Sequence, residues 1–367
     1  MAAYAVQGRR ARMEDRFVIN KNINNTGVSL LAVFDGHGGE FAANYAKEKL
    51  IKNLYNKVIE IKDVISGKKA NPQWTTVDTE PKEEKKDREK PVSPVLVERK
   101  KSFRKTASTS LTDECMQKAV SGVTDPELLS KLDNLQRPIT REVRPSRPCN
   151  SSVKQIPATD YFDDGGKVNY GKLLTDEVLA ADRLLVEAAK KNMDVAGTTA
   201  LIALLEGSEL TVANVGDSRG VMCDNKGNAI PLSFDHKPQQ MRERKRIKEA
   251  GGFVTFNGVW RVAGILATSR ALGDYPLKDK KLVIADPDIL TFDLSDHKPL
   301  FIILASDGLW DTFTNEEAVA FIKDRLSEAD YGAKSITLKS YYRGSLDNIT
   351  VLIINFKDNS FGYHSDP

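Results

Sequence analysis

Residues 28–39 read VSLLAVFDGHGG. The run from Val28 to Phe34 is apolar and β-branched, and it stops at Asp35-Gly36, which predicts a buried strand ended by a turn. Working outward, five more acidic clusters end or flank strand-like apolar runs. They are MED at 13–15, Asp194 ahead of Gly197, NVGDSRG at 214–220, ASDGLWD at 305–311 and LDNITVLI at 346–353. One Asp-Gly step alone is an ordinary hairpin turn. Together they set carboxylates at the ends of many strands. Hard divalent cations need several oxygen ligands converging from separate chain positions. The pattern therefore predicts a metal centre at one end of a β core.

The totals narrow the class. A chain of 367 residues, 40% of them hydrophobic, can bury one large core or two ordinary ones. Net charge is +3, from 54 basic and 51 acidic residues, so nucleic acid is not an expected partner. The three cysteines, Cys115, Cys149 and Cys223, form no CxxC pair, which argues against structural zinc and disulfides and for a reducing, cytoplasmic compartment. Four histidines are too few for a His-rich metal site. No apolar run is long enough to span a membrane, and Ala2 to Val6 already reads as a strand. Membrane association would require an anchor upstream of Met1.

Strands are predicted at 198–205, 209–215, 219–223, 289–292, 301–305 and 349–356. Helices are predicted at 40–61, 173–190, 238–250 (stopped by Gly251-Gly252) and 315–326, the last with Asn315 as N-cap. Strands dominate and helices come in pairs, so helices should cover an antiparallel sheet system. The stretch 67–160 differs. It holds 9 of the 15 prolines and only Trp74 and Phe103 of the 27 aromatics. Such a segment buries too little apolar surface to offset its ordering entropy. It reads as a disordered, charged insertion, with one short helix at 126–135, inside a single domain spanning 1–357. Residues 358–367 form a tail.

Several side chains have chemistry to offer. Asp35 with the adjacent Gly36 carbonyl makes a ligand pair suited to magnesium or manganese. Asp307, Asp311, Asp347 and Asp194 occupy comparable positions, though each alone is an ordinary turn or cap residue. His37 stands where it can protonate a leaving oxygen, or it is a solvent-facing loop histidine. Arg10 is able to clamp a phosphate in bidentate fashion, or it is a surface arginine beside Arg9 and Arg12.

The motifs QGRRARMED, FDGHGG, GTTA, NVGDSRG, DHKP, SRALGD, SDGLWD and DNITV occur in that order. In this the chain resembles the metal-dependent protein serine/threonine phosphatases of the 2C family, over essentially all of 3–356 apart from the insertion. The resemblance implies an α+β fold: a central β-sandwich of two antiparallel sheets flanked by pairs of antiparallel helices. It implies two Mn²⁺ or Mg²⁺ ions, with a weaker third. Asp35 matches the bridging carboxylate, Gly36 the carbonyl ligand, and Asp307 and Asp347 the remaining direct ligands. Glu14 and Asp15 match the acidic pair near the second metal. Asp194 and Asp311, with Asp307, match the third site. Arg10 matches the phosphate-binding arginine and His37 the general acid. The expected partners are phosphoproteins, stress-activated kinases among them, for a monomeric enzyme.

Two other classes compete. A catalytically silent phospho-binding or scaffold protein would be favoured by loss of Asp35, Asp307 or Asp347, and all three are present. A calcium-binding structural protein would carry a D-x-D-x-D-G loop, which this chain lacks. A cysteine phosphatase is excluded because no CxxxxxR loop surrounds any cysteine. The basic, Ser/Thr-bearing stretch 100–109 reads as a solvated linker, or as a kinase-regulated tether.

Overall fold

The computed structural model describes residues 1–68 and 156–356. Most of the predicted insertion, its helix at 126–135 and the tail at 358–367 lie outside the described residues. Among the described residues, no helix is long and apolar enough to cross a membrane.

In chain order the strands are β1 (Ala2–Val6), β2 (Arg16–Asn20), β3 (Val28–Phe34), β4 (Gly36–His37), β5 (Gly197–Thr198), β6 (Ala200–Glu206), β7 (Glu209–Val215) and β8 (Arg219–Cys223). They continue with β9 (Ala229–Pro231), β10 (Val254–Asn257), β11 (Val259–Val262), β12 (Leu272–Gly273), β13 (Asp288–Asp293), β14 (Phe301–Ala305) and β15 (Ile349–Asn355). Two antiparallel five-stranded sheets dominate, ordered β1-β15-β14-β8-β9 and β13-β7-β6-β3-β2. The helices are α1 (Phe41–Tyr45), α2 (Ile51–Ile65), α3 (Tyr170–Asn192), α4 (Met241–Glu249), α5 (Tyr275–Lys278), α6 (Leu294–His297), α7 (Asp307–Trp310), α8 (Asn315–Lys323) and α9 (Ala333–Tyr342). A π turn, Ala46–Leu50, joins α1 to α2.

Side-chain alternation assigns the layers. In β3, Leu31 and Val33 join Leu201, Ala203, Ile302, Leu304 and Leu352 between the two sheets. The intervening Leu30, Ala32 and Phe34 face Leu54, Val58, Leu173 and Leu185 of α2 and α3. On the opposite side Phe301, Ile303, Val351 and Ile353 meet Val319, Ile322 and Ile336 of α8 and α9. Each central strand is thus buried on both faces. That is why the strands read as continuous apolar runs rather than as half-polar alternation. The expected α+β sandwich with flanking helices is the fold observed.

Some boundaries differ. The helix predicted at 315–326 spans Asn315–Lys323 and is capped one residue earlier: Thr314 and Glu317 form a reciprocal capping box. Asn315 instead accepts from Arg219 Nη1 at 2.9 Å. Residues 156–161, read largely as insertion, include a 3₁₀ turn, Ala158–Tyr161, whose Ala158 and Tyr161 sit in the core beside α2. Lys57 Nζ of α2 donates to the Ile156 carbonyl at 2.8 Å, so the chain returns close to where α2 runs.

The register collects the strand ends. Val6 of β1 pairs with Ile349 of β15, and Ala305 of β14 pairs with both Val351 and Arg219. In the other sheet Arg16 pairs with Phe34, and Ala200 with Val215. The segments leaving these pairs, 7–15, 35–37, 216–218, 306–311 and 347–348, therefore emerge together at one end of the sandwich.

Candidate metal centre

The floor of this end is made by backbone close approach. A Cβ on Gly308 would lie 2.0 Å from the Asn348 carbonyl oxygen, and one on Gly36 would lie 2.5 Å from that of Glu14. Only hydrogen fits at these two positions, so the segments after β14 and before β15 touch at one, and those after β3 and before β2 at the other.

Around that floor Asp15, Asp35, Asp307 and Asp347 converge. Asp15 is 3% exposed, and its Oδ2 accepts from Ser306 Oγ (2.8 Å) and Thr350 Oγ1 (2.7 Å). The Asp307 backbone N–H donates to Asp35 Oδ2 at 3.4 Å. Asp347 Oδ2 accepts from Arg10 Nη2 at 2.5 Å. The Arg10 side chain is 60% exposed, so its guanidinium also faces solvent. Glu14 lies in the loop preceding Asp15, and Gly36 pairs with Thr198 across β4 and β5.

Two buried oxygens, Asp15 Oδ1 and Asp307 Oδ1, have no hydrogen-bond donor. The electrostatics match. Burial first, then Asp307, Asp15 and Asp347, push the Asp35 carboxyl well above its usual range. Burial, then Asp217, Asp347 and Asp311, do the same to Asp307. Asp15 is pushed up to about 6, chiefly by burial, with Thr350 and Ser306 opposing. Burial also raises Glu14 and Asp311. Crowded carboxylates with orphaned oxygens call for positive charge. Among the described residues, no three His, Cys, Asp or Glu side chains already close into a ligand set. The fit to a cation therefore rests on the all-oxygen donors, the orphaned atoms and the mutual repulsion, which together suit Mg²⁺ or Mn²⁺.

His37 is held at Nε2 by both oxygens of Asp274, at 2.8 and 3.0 Å. Burial pulls its pKa down, but Asp274 outweighs burial and the net shift is upward. The contact of Asp194 is local: its Oδ1 accepts from the Ala196 N–H at 2.8 Å. Asp311 sits one turn after Asp307 and adds its charge to that residue.

Four residues here escaped nomination. Asn348, 4% exposed, donates to the Gln7 and Arg12 carbonyls (2.6 and 2.9 Å) and accepts from the Glu14 N–H (2.7 Å). One amide thus fastens the whole 7–14 loop beside Asp347. Asp274 orients His37. Asp217 and Lys237 form an ion pair at 2.6 Å. All four lie inside motifs already singled out, and Asp217 occupies the same strand-end position as Asp35, so a signal for it existed. Nothing in the local sequence distinguishes Asn348 from a turn residue.

A model of the protein phosphatase 2C family matches residues 1–125 and 146–349. The chain is 43% identical over 363 residues to Protein phosphatase 1L of Bos taurus, covering 98% of this chain and 73% of the relative. It is 52% identical to Probable protein phosphatase 2C 59 of Arabidopsis thaliana over 167 residues, 46% of this chain and 52% of the relative. The match to that plant relative thus spans about half of its length. A solved serine-threonine phosphatase 2C from Toxoplasma gondii has the same fold, with TM-score 0.60 at 21% identity, covering 96% of this chain and 93% of that one.

Proposed function

The chain belongs to the protein phosphatase 2C family and is a serine/threonine phosphoprotein phosphatase, and on that premise we propose that its acidic end works with two divalent cations. The observation that carries the proposal is the pair of donorless buried oxygens, Asp15 Oδ1 and Asp307 Oδ1, among carboxylates that repel one another. Asp35, the Gly36 carbonyl, Asp307 and Asp347 would hold the ions, with Glu14 and Asp15 acting partly through water. Asp194 and Asp311 would serve a weaker third site. Bound Mn²⁺ or Mg²⁺ supplies Lewis acidity toward phosphoryl oxygens and makes water acidic enough to attack at neutral pH.

The chain's own residues do the rest. Arg10 meets the incoming phosphate with an exposed guanidinium, already oriented by Asp347. Asp274 occupies Nε2 of His37 and favours the imidazolium, which leaves Nδ1 to protonate the departing serine or threonine oxygen. Asn348 keeps the 7–14 loop, and with it Arg10 and Glu14, in register with Asp347. No protein nucleophile is needed. The family resemblance supports phosphothreonine of stress-activated kinases as substrate, and cysteine usage supports a cytoplasmic setting. Residues 67–160 are read as an interruption of one catalytic domain.

The test is phosphate release from a phosphothreonine peptide. Turnover with Mn²⁺ or Mg²⁺ that falls to background with chelator is expected. Equal turnover in chelator would sink the divalent-cation reading.

A further inference from the structure

Lys237 is a cation at this end that the proposed chemistry leaves unused. It follows His236 on the segment between β9 and α4, and that segment is pinned. His236 is 2% exposed; its Nδ1 accepts from the Gly216 N–H (3.0 Å), and its own N–H donates to the Gly216 carbonyl (2.9 Å). Its carbonyl accepts from Thr268 Oγ1 (3.1 Å) and Ser269 Oγ (2.9 Å). The turn thus clasped carries Asp217, which is 5% exposed, and Lys237 Nζ rests on its Oδ2 at 2.6 Å.

This ion pair adjoins the carboxylate centre. Thr199 Oγ1 accepts from the Asp35 N–H (3.1 Å) and shares a hydrogen bond with Ser218 Oγ (2.8 Å). One threonine therefore joins Asp35 to the residue after Asp217. The charges report the same proximity. After burial, Asp217 is the largest influence raising Asp307, while Lys237 lowers both Asp307 and Asp311. Burial pulls the Lys237 pKa down, but Asp217 and then Asp307 outweigh it, so its charge is secure.

We propose that Lys237 is a positioning residue and resident counter-cation: clamped on Asp217, it limits how tightly the Asp307–Asp311 side of the pocket holds divalent ions. The inference rests on the divalent-cation reading given above. A fixed ammonium and a divalent ion compete for the same field. Removing the ammonium leaves one more uncompensated negative charge, and ion affinity at that side rises by about tenfold. Removing Asp217 and Lys237 together leaves the net charge as it was.

The experiment measures Mn²⁺ binding directly, as free Mn²⁺ by electron paramagnetic resonance, in the full chain without substrate. Melting temperature with and without Mn²⁺ is recorded in parallel. Lys237→Met should bind its weakest Mn²⁺ about tenfold more tightly than the parent, and the double variant Asp217→Asn/Lys237→Met should return close to the parent. Lys237→Met leaves Asp217 buried and unpaired, so it is open to misfolding. The comparison of Asp217→Asn with the double variant avoids that risk: the double variant should bind about tenfold more tightly. Equal Mn²⁺ affinity in those two, both folded, overturns the inference and leaves Lys237 a structural ion pair. A parent that binds no Mn²⁺ overturns the divalent-cation reading and this inference with it. A parent that binds Mn²⁺ while a folded Lys237→Met matches it overturns this inference alone.

Discussion

Asn348 shows how much one side chain can organise here. Its amide satisfies three backbone groups of the 7–14 loop, the segment that bears Arg10 and Glu14. Truncation would leave two carbonyls and an N–H without partners in a part-buried setting, at about 1–3 kcal/mol for each group left dry. We expect Asn348→Ala to lower stability by about 2–3 kcal/mol in urea unfolding and to cut phosphatase turnover at least tenfold; unchanged values for both would contradict the latch. At this scale the sequence spoke unevenly. Asp35, Asp307 and Asp347 were legible because each ends or precedes an apolar run. Asn348 and Asp274 were not, because their roles depend on partners hundreds of residues away in the chain, such as Gln7 for Asn348 and His37 for Asp274.

The elements position the site through their ends. Gly308 in the first turn of α7 lies against the backbone before β15, with no room for a Cβ. Gly308→Ala should separate Asp307 from Asp347 and lower stability by about 1–3 kcal/mol; a melting temperature equal to the parent's would argue that the two segments are not in contact. A second junction holds α4 to β13. The buried Glu243 accepts from Arg270 (2.6 and 3.1 Å) and Ser269 (2.9 Å), and Arg270 reaches Asp288 (3.1 Å). Burial alone would raise the Glu243 pKa, but Arg270 and Arg246 outweigh it and hold it at about 2. A depressed carboxyl contributes stability above its unfolded pKa, near 4.5, and loses it as pH falls toward 2. Glu243→Gln should therefore cost about 3 kcal/mol at pH 7 and should flatten the acid-side loss between pH 4.5 and 2, read from urea melts at each pH. Long apolar strands and amphipathic helices were legible as elements. Helix α9 was not, because its buried face includes Thr337 and Ser340 and breaks the apolar stripe. The cap of α8 was misplaced by one residue because Thr314 and Asn315 are both good caps by type, and the demand of Arg219 for a partner decides between them.

The described residues form a sandwich whose strand register, rather than any single loop, brings distant carboxylates together. Chain departure and return near α2 predict that the sandwich does not depend on what lies between. Replacing residues 69–155 with a flexible linker of about 15 residues, which comfortably spans two helical turns, should leave the melting temperature within a few degrees of the parent. A drop beyond 10 °C would mean that those residues help to hold the core. An antiparallel sheet system covered by helices was legible because strands dominate and helices come in pairs. The four-layer arrangement followed only from the resemblance, because periodicity does not say which sheet a strand joins. In the proposed divalent-dependent phosphate hydrolysis Asp35 stands among the other carboxylates, with Asp307, Asp15 and Asp347 all acting on it. The most direct measurement is phosphate release from a phosphothreonine peptide in Mn²⁺, comparing the parent with Asp35→Asn after both are shown to be folded by circular dichroism. We expect a loss of at least a thousandfold, on the scale of removing a principal source of transition-state charge stabilisation. A folded Asp35→Asn that turns over within a few fold of the parent would contradict it.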